Sequence, residues 1–183
     1  MVELTDEQIA AQVQAGDTES FGLLVERYEA KMTRYARKFL FNHHDTEDLA
    51  QEVFIKAFVN MQEFDATRKF SSWLYRIAHN EFINAIKKKK NEPLPFFDAD
   101  TLFPHPLSKA NPGQDLEQKN LKEILNACLS KIDTKYREPL VLFYFEELSY
   151  QEIAEILHIP VSTVGVRLGR GKTILQKTYN ELI

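Results

Sequence analysis

The sequence predicts an all-α protein made of two small helical domains joined by a Pro-rich linker. Three observations predict this architecture. Apolar residues recur at three- and four-residue steps along most of the chain, without the alternation typical of strands. Capping patterns stand where the periodic segments begin. Five of the seven prolines fall within residues 91–115, which have no sustained period. We therefore expect one domain over residues 1–90, a linker over 91–115 and a second domain, containing a helix-turn-helix, over 116–183.

Composition narrows the class of protein. Of the 183 residues, 44% are hydrophobic and 27% are charged, which is typical of a soluble globular chain. The single Cys128 allows neither an intramolecular disulfide nor a Cys-based zinc site. No apolar run is long enough to span a bilayer, and the acidic, amphipathic N-terminus is unlike a secretory signal. We expect a cytoplasmic location and no membrane insertion.

The first three helices of the N-terminal domain have recognisable start signals. Thr5 with Gln8 makes a capping-box pattern, and the helix that follows should stop at Gly16. Asp17 or Thr18 starts a longer helix with a broad apolar face. A third helix opens at Asp45, whose side chain can cap it while Glu47 and Asp48 complement the positive helix start, and it carries apolar residues at core spacing.

The fourth helix carries the chemistry of this domain. Residues 64–90 read FDATRKFSSWLYRIAHNEFINAIKKKK, with Ser71 or Ser72 able to cap the helix. Although the net charge of the chain is −4, residues 68–90 hold seven Lys and Arg against one Glu. The loop or the side away from the main apolar stripe carries Arg68, Lys69, Tyr75, Arg76, His79 and Asn80. Cations, an amide and aromatic rings together suit a surface that holds phosphates and stacks on unpaired bases. Alternatively, the aromatic rings are core and the lysines a solvated helix end.

The second domain contains the most specific local pattern. Ser149 with Glu152 is a capping box for a short helix, and the turn HIPV leads to a second helix that Ser162 can cap. This arrangement defines a helix-turn-helix, whose second helix enters the major groove of duplex DNA. The residues placed to meet bases or phosphates are Thr163, Arg167, Arg170 and Lys172. The alternative is an ordinary helical hairpin.

Three stretches together resemble the extracytoplasmic-function (ECF) group of the sigma-70 family, bacterial RNA polymerase specificity subunits. They are DTEDLAQEVFIKAF (45–58), FSSWLYRIAHNEFINAIKKKK (70–90) and YREPLVLFYFEELSYQEIAEILHIPVSTVGVRLGRGK (136–172). They occur in the order and spacing of that family, and the resemblance covers nearly the whole chain outside the linker. It implies an RNA polymerase sigma factor that directs core polymerase to specific promoters and initiates transcription.

The resemblance also implies a division of labour. The acidic third helix would dock on the clamp helices of the polymerase largest subunit through Asp48, Gln51 and Glu52. The fourth helix and its preceding loop would melt and recognise the promoter −10 element. The residues expected to contact −10 DNA are Arg68, Lys69, Arg76, His79, Asn80 and Lys87. The helix-turn-helix would recognise the −35 element through Ser162, Thr163, Arg167, Arg170 and Lys172. Further implied partners are the polymerase flap and an anti-sigma factor.

The second helix of the helix-turn-helix departs from the family pattern. Gly165, Val166, Gly169 and Gly171 stand where the family commonly has basic, polar or alanine residues. Either the glycines let the helix backbone approach phosphates more closely, or −35 recognition is weak or unusual.

Two other functions compete with this interpretation. His44, Asp48 and Glu52 are spaced four apart, as in a helical metal site, but no nucleophile, phosphate loop or second ligand group accompanies them. We therefore expect no enzyme activity, no cofactor and no metal. The second alternative is a free-standing helix-turn-helix regulator that binds duplex DNA without polymerase.

Overall fold

The computed structural model describes residues 4–40, 46–91 and 123–182, and these ranges contain helices and no strand. A short 3₁₀ turn, Thr18–Ser20, precedes the second helix, and another, Met61–Glu63, follows the third helix. The α-helices are α1 (Asp6–Gln14), α2 (Phe21–Phe39), α3 (Thr46–Val59), α4 (Phe70–Asn91), α5 (residues 123–130), α6 (Thr134–Tyr144), α7 (Tyr150–Leu157) and α8 (Val161–Leu182). The predicted all-α class is confirmed. The cap expected in the acidic stretch at residue 45, and almost all of the predicted linker, lie outside the described residues.

Both predicted capping boxes are confirmed. The Thr5 hydroxyl accepts the backbone N–H of Gln8 at 3.3 Å, and the Gln8 side chain accepts the N–H of Thr5 at 2.9 Å. Ser149 and Glu152 make the same pair of bonds at the start of α7, at 3.3 and 2.9 Å. Each box satisfies backbone donors that a helix start leaves without partners, so both helices begin where the sequence predicts.

Two predicted caps are wrong. α4 begins at Phe70, so Ser71 and Ser72 lie inside its first turn, and the Phe70 N–H instead donates to Glu7 Oε1 of α1 at 3.0 Å. α8 begins at Val161, so Ser162 lies in its first turn and does not cap it. Pro160 precedes α8, and its carbonyl accepts the N–H of Thr163 at 2.8 Å. A capping carboxylate from another helix and a proline with fixed φ replace the local serine caps.

An aromatic core organises the N-terminal domain and positions the start of α4. Phe70 is buried between Tyr28 and Phe64, at ring-centroid distances of 5.7 and 5.5 Å. Trp73 packs on both phenylalanines, at 5.1 and 5.7 Å, as a partly buried member of the core, which agrees with its predicted core role. The first turn of α4 is therefore fixed by packing.

Tyr75 distinguishes the two interpretations of this helix, because it is a core residue, as the alternative interpretation held. The sequence places it off the main apolar stripe, among the surface residues, yet it is 2% exposed. It lies 5.7 Å from the Tyr35 ring, and its hydroxyl donates to Glu146 of the second domain at 2.6 Å. α4 is thus buried on two sides, once by its own domain and once by the other.

The C-terminal domain has the predicted helix-turn-helix. α7 ends at Leu157, and the residue that caps it, His158, adopts the left-handed conformation at φ 51°. Ile159 in the turn packs against the buried core, and α8 follows after Pro160. Val164 and Leu168 of α8 are buried against the other helices of this domain. The apolar turn residue thus anchors the turn, as the pattern predicts.

The two domains pack directly against each other. α4 lies against α7, and α2 lies against α6. Polar contacts cross this boundary from Lys69 to Glu152, from Arg34 to Glu146 and from Tyr35 to Glu138. This arrangement brings the cationic start of α4 beside the first helix of the helix-turn-helix.

Candidate nucleic-acid interface

A polar pocket of about 210 Å³ lies at the start of α4. Arg68, Lys69 and Arg76 line it together with the Trp73 ring, and Glu155 of α7 closes one side. The structure therefore brings three of the sequence-predicted −10 residues together beside an aromatic ring. This is the combination of cations and π-surface that single-stranded nucleic acids require.

The loop before α4 is held by Asp65. Its Oδ1 accepts the Thr67 N–H at 3.0 Å and the Thr67 hydroxyl at 2.6 Å, and its Oδ2 lies 3.8 Å from Arg68 Nε. The Thr67 hydrogen bonds, with the Arg68 charge, hold the pKa of the Asp65 carboxyl below its ordinary value. This turn fixes Arg68 at the rim of the pocket.

The remaining predicted −10 residues divide between two sides of α4. Successive helix residues turn by roughly 100°, so Arg76, Asn80 and Lys87 lie within about 40° of one another. Asn80 and Lys87 are exposed, and Arg76 is partly exposed. His79 is turned about 60° away from Arg76 and faces the second domain. The outward stripe thus contains one amide between two cations.

The predicted polymerase-binding residues share one face of α3. Asp48 and Gln51 are exposed and Glu52 is partly exposed. Sequence reasoning missed two apolar neighbours on this face, Ile55 and Val59, which are 57% and 71% exposed. The sequence does carry a sign of these two residues. They alternate with the residues that form the buried face of α3, at positions where a helix face in contact with water would carry polar side chains. An apolar strip bordered by carboxylates suits protein binding better than nucleic-acid binding.

The predicted −35 residues are not all on one side of α8. Ser162 and Arg170 lie on its outward face with Val166 between them, and Thr163 and Arg167 lie at the edge of that face. Lys172 is turned roughly 160° away from Arg170 and lines an apolar groove of about 420 Å³ with Cys128. Four of the five candidates therefore share the outward face or its edge.

The glycines of α8 have different surroundings. A Cβ at Gly171 would lie 3.0 Å from Leu140 Cδ1 and 3.1 Å from the Tyr136 carbonyl oxygen, whereas a Cβ at Gly169 would meet nothing within 4 Å. A Cβ at Gly165 would touch only the Tyr150 ring, at 3.6 Å. Gly171 thus permits close packing of α8 on α6, a role that neither sequence-based alternative included. Gly169 is the glycine on the outward face.

Sequence reasoning missed three carboxylates of the second domain that contact the first: Glu138, Glu146 and Glu152. Glu146 accepts two bonds from Arg34, both at 2.8 Å, and one from the Tyr75 hydroxyl at 2.6 Å, and its side chain has no exposed surface. Burial and the neighbouring Glu146 charge raise the pKa of Tyr75 well above its ordinary value. The Glu146 hydrogen bond raises the pKa of Arg34. Individual glutamates on helices carry no sequence signal for such a role, because their partners lie 59 to 112 residues away.

Glu138 and Glu152 make the other two contacts. Glu138 Oε1 accepts a hydrogen bond from the Tyr35 hydroxyl at 2.5 Å and lies 2.6 Å from His79 Nδ1. Glu152 accepts Lys69 Nζ at 2.7 Å while it also caps α7. Burial raises the pKa of the Glu152 carboxyl, but the hydrogen bonds from Lys69 and Ser149 outweigh it and hold the pKa below its ordinary value.

Two further findings concern metal binding and membrane insertion. Within the three described ranges, no group of three metal-ligating side chains comes together. His44, part of the possible metal spacing, lies outside those ranges. No helix in the described part of the chain is both long enough and apolar enough to cross a membrane.

The fold and these surfaces define a two-domain helical protein of the transcription machinery, with a cationic helix in one domain and a helix-turn-helix in the other. The Sigma-70 region 2 family model matches residues 24–92, and the Sigma-70, region 4 model matches residues 122–175. The chain is 40% identical over 179 residues to the ECF RNA polymerase sigma factor SigW of Bacillus subtilis, covering 93% of this chain and 95% of that protein. It is 30% identical over 187 residues to the ECF RNA polymerase sigma-E factor of Haemophilus influenzae, covering 99% and 98%. The chain therefore belongs to the ECF group of the sigma-70 family.

A solved structure gives the same result for the fold. The structure of CnrH in complex with the cytosolic domain of CnrY aligns with a TM-score of 0.72 and 28% sequence identity. It covers 96% of this chain and 97% of that chain. The likeness extends over both domains.

Proposed function

We propose that the two domains of this RNA polymerase sigma factor divide promoter recognition between them. Residues 1–90 bind core polymerase and open the −10 element, and residues 116–183 recognise the −35 element as duplex. The chain itself catalyses no reaction, needs no cofactor and acts in the cytoplasm. The observation that carries the proposal is the pocket at the start of α4, where Arg68, Lys69 and Arg76 meet beside Trp73.

The chemistry of α4 suits strand opening. Melting DNA costs stacking energy, and a protein recovers part of that energy by holding the extruded bases and their phosphates. Arg68 and Lys69 supply charge for phosphates at the pocket rim. Asn80, exposed on the stripe between Arg76 and Lys87, can both donate and accept hydrogen bonds at a base edge.

The exposed face of α3 supports polymerase binding. Asp48, Gln51 and Glu52 offer polar contacts to the clamp helices of the largest subunit, and Ile55 and Val59 offer apolar area beside them. An interface of this kind combines an apolar centre with a polar rim. Acidic side chains would repel DNA, which favours a protein partner for this face.

The outward face of α8 supports duplex recognition. Ser162 and Thr163 stand in its first turn, where a helix enters the major groove, and Arg167 and Arg170 follow within reach of bases or phosphates. Lys172 instead lines the apolar groove, and a groove of this kind suits contact with a protein such as the polymerase flap. The bare backbone at Gly169 allows α8 to approach the DNA closely.

A regulatory partner completes the proposal. The CnrH relative is held in its solved structure by the cytosolic domain of CnrY. By the same fold, this chain binds an anti-sigma factor that covers polymerase-binding surfaces until a signal releases it. Because both domains match sigma regions, the sigma function accounts for the N-terminal domain, which a free-standing regulator would not need.

The test is transcription in vitro with bacterial core polymerase and a library of promoter fragments. The wild-type chain should give specific transcripts, and the Arg76→Ala, Asn80→Ala variant should give none from the same fragments. Glu26→Ala, which changes an exposed residue on α2, is the matched control and should leave transcription unchanged. Tight duplex binding by the chain alone, without any transcript, would contradict the proposal.

A further inference from the structure

The outward face of α8 carries an apolar side chain between two polar ones. Val166 is 52% exposed and stands four residues after Ser162 and four before Arg170, both of which are exposed. The two other large apolar residues that α8 exposes, Val161 and Tyr179, are each turned roughly 140° away from Val166. Within α8, Val166 is therefore the large apolar residue that the outward face exposes.

Helix stability does not explain a valine at this position. β-branched side chains have a lower helix propensity than alanine or straight-chain residues. Single exposed apolar residues are common on protein surfaces, so exposure alone assigns no role. The role of Val166 comes from its place. It is the sixth residue of α8, in the second turn of the helix that would enter the major groove.

The neighbours of Val166 leave the way to the DNA clear. Gly165 precedes it, and Gly169 follows about one turn later. A Cβ at Gly169 would meet nothing within 4 Å, and one at Gly165 would touch only the Tyr150 ring at 3.6 Å, so packing requires glycine at neither position. A valine side chain is short and reaches a base edge only where the helix backbone lies close to the bases. The two glycines lack the side chains that would hold the backbone away.

A valine distinguishes base pairs by one feature of the major groove. Base edges there present hydrogen-bond donors and acceptors, and thymine adds a 5-methyl group. Val166 has no hydrogen-bonding side-chain atom, so it gains apolar contact only from that methyl group. Opposite a polar edge it would cover a donor or acceptor without satisfying it, which is unfavourable. Its β-branched side chain has few rotamers, so the shape of the contact is fixed.

We propose that Val166 is a specificity-determining residue that recognises the 5-methyl group of a thymine in the major groove of the −35 element. Gly165 and Gly169 allow the close approach that this contact needs, and Ser162 and Arg170 supply polar contacts on either side of it. The proposal rests on the proposed function of α8. Burying one methyl group corresponds to about a fourfold change in an equilibrium constant, which sets the expected size of the effect.

The first part of the test removes the methyl group from the DNA. The probes are duplex fragments of a promoter that the holoenzyme of core polymerase and this chain transcribes. Each thymine of the −35 region, on either strand, is replaced singly by deoxyuridine, and holoenzyme binding is measured by fluorescence anisotropy. At least one replacement should weaken binding by wild type about fourfold. At that position 5-methylcytosine should bind about fourfold more tightly than cytosine, because it restores the methyl group.

The second part removes the side chain from the protein. Val166→Ala should bind the thymine fragment about fourfold more weakly than wild type does, and it should bind the thymine and deoxyuridine fragments equally. Because Val166 is exposed and alanine favours helix, this variant should fold. Val161→Ala replaces an exposed valine on another side of α8, is the matched control and should keep the difference between the two fragments. Gly169→Gln adds a side chain to the outward face and should abolish the difference.

The outcomes separate this contact from the function of α8. Wild-type binding that no deoxyuridine replacement weakens would overturn the proposal, and so would a Val166→Ala variant that still distinguishes thymine from deoxyuridine at that position. In either case, weaker binding after the whole −35 sequence is scrambled would leave the proposed function of α8 standing. Binding that scrambling does not change would count against that function and overturn the proposal with it.

Discussion

The packing of α8 on α6 makes a sharp prediction about two glycines two residues apart. A Cβ at Gly171 would lie 3.0 and 3.1 Å from two atoms of Leu140 and 3.1 Å from the Tyr136 carbonyl oxygen. Ordinary contacts between carbon atoms are about 3.5–4.0 Å. Leu140 is 2% exposed, and the carbonyl belongs to the helix backbone, so neither can retreat freely.

The magnitude follows from two opposing terms. Forcing extra volume into a packed interface costs roughly 1–3 kcal/mol, and replacing glycine by alanine inside a helix returns roughly 0.5–1 kcal/mol. Gly171→Ala should therefore lower the free energy of unfolding by roughly 1 kcal/mol, within a range of roughly 0–2.5 kcal/mol, and a loss of about 1 kcal/mol lowers Tm by roughly 2–4 °C for a chain of this size. Gly169→Ala meets nothing within 4 Å and should raise the free energy of unfolding by roughly 0.5–1 kcal/mol.

Thermal unfolding of both variants and wild type, followed by far-ultraviolet circular dichroism, measures the difference. The two substitutions have the same chemistry on the same helix, so each controls for the other. A Gly171→Ala variant as stable as Gly169→Ala would refute the argument that α6 requires this glycine.

Three further predictions concern the start of α4 and the domain contact. Glu7→Ala should lower the free energy of unfolding by roughly 0.5–2 kcal/mol, because it leaves the Phe70 N–H without the acceptor that lies 3.0 Å away. Hydrogen exchange at the Phe70 amide should accelerate in this variant, and an unchanged exchange rate would contradict the capping role. Burial raises the pKa of Tyr28 and Tyr75 above the ordinary 10.0, so the stability they contribute is present below pH 10.0 and is lost as pH rises above it. Ultraviolet titration should show these phenols ionising only as the chain unfolds. Reversible ionisation of both phenols in the folded chain near pH 10.0 would contradict this prediction. The hydrogen bonds from Lys69 and Ser149 lower the pKa of Glu152 from 4.5 against the effect of burial, so the stability that Glu152 contributes is present above pH 4.5 and is lost as pH falls. Lys69→Met should lower the free energy of unfolding at neutral pH, and its difference from wild type should shrink in acid. A difference in the free energy of unfolding that does not change with pH would argue against the ion pair.

The sequence predicted local structure well because local structure depends on neighbouring residues. Thr5 with Gln8, and Ser149 with Glu152, locate helix starts through bonds between residues three apart. Ile159 identified the turn of the helix-turn-helix for the same reason. The caps at α4 and α8 were wrong because the donors found other partners, Glu7 from another helix and the carbonyl of Pro160.

What the sequence could not predict depends on contacts between distant residues. Tyr75 lies off the apolar stripe of α4, and its burial comes partly from Glu146, 71 positions later. In the sequence Gly171 resembles an unusual DNA-facing residue, and only the structure shows that it packs against α6. Periodicity identifies which face of a helix is buried in its own domain, but not which face a second domain covers. The individual DNA and polymerase contacts stay predictions.

The central claim is that α3 joins the chain to polymerase and α4 opens the promoter. The most direct measurement scores core-polymerase binding and transcription together, from one promoter, for two variants. Gln51→Ala, Glu52→Ala should lose both activities, and Arg76→Ala, Asn80→Ala should bind core polymerase as wild type does and give no transcript. Full transcription by the α4 variant, or normal polymerase binding and transcription by the α3 variant, would contradict the account.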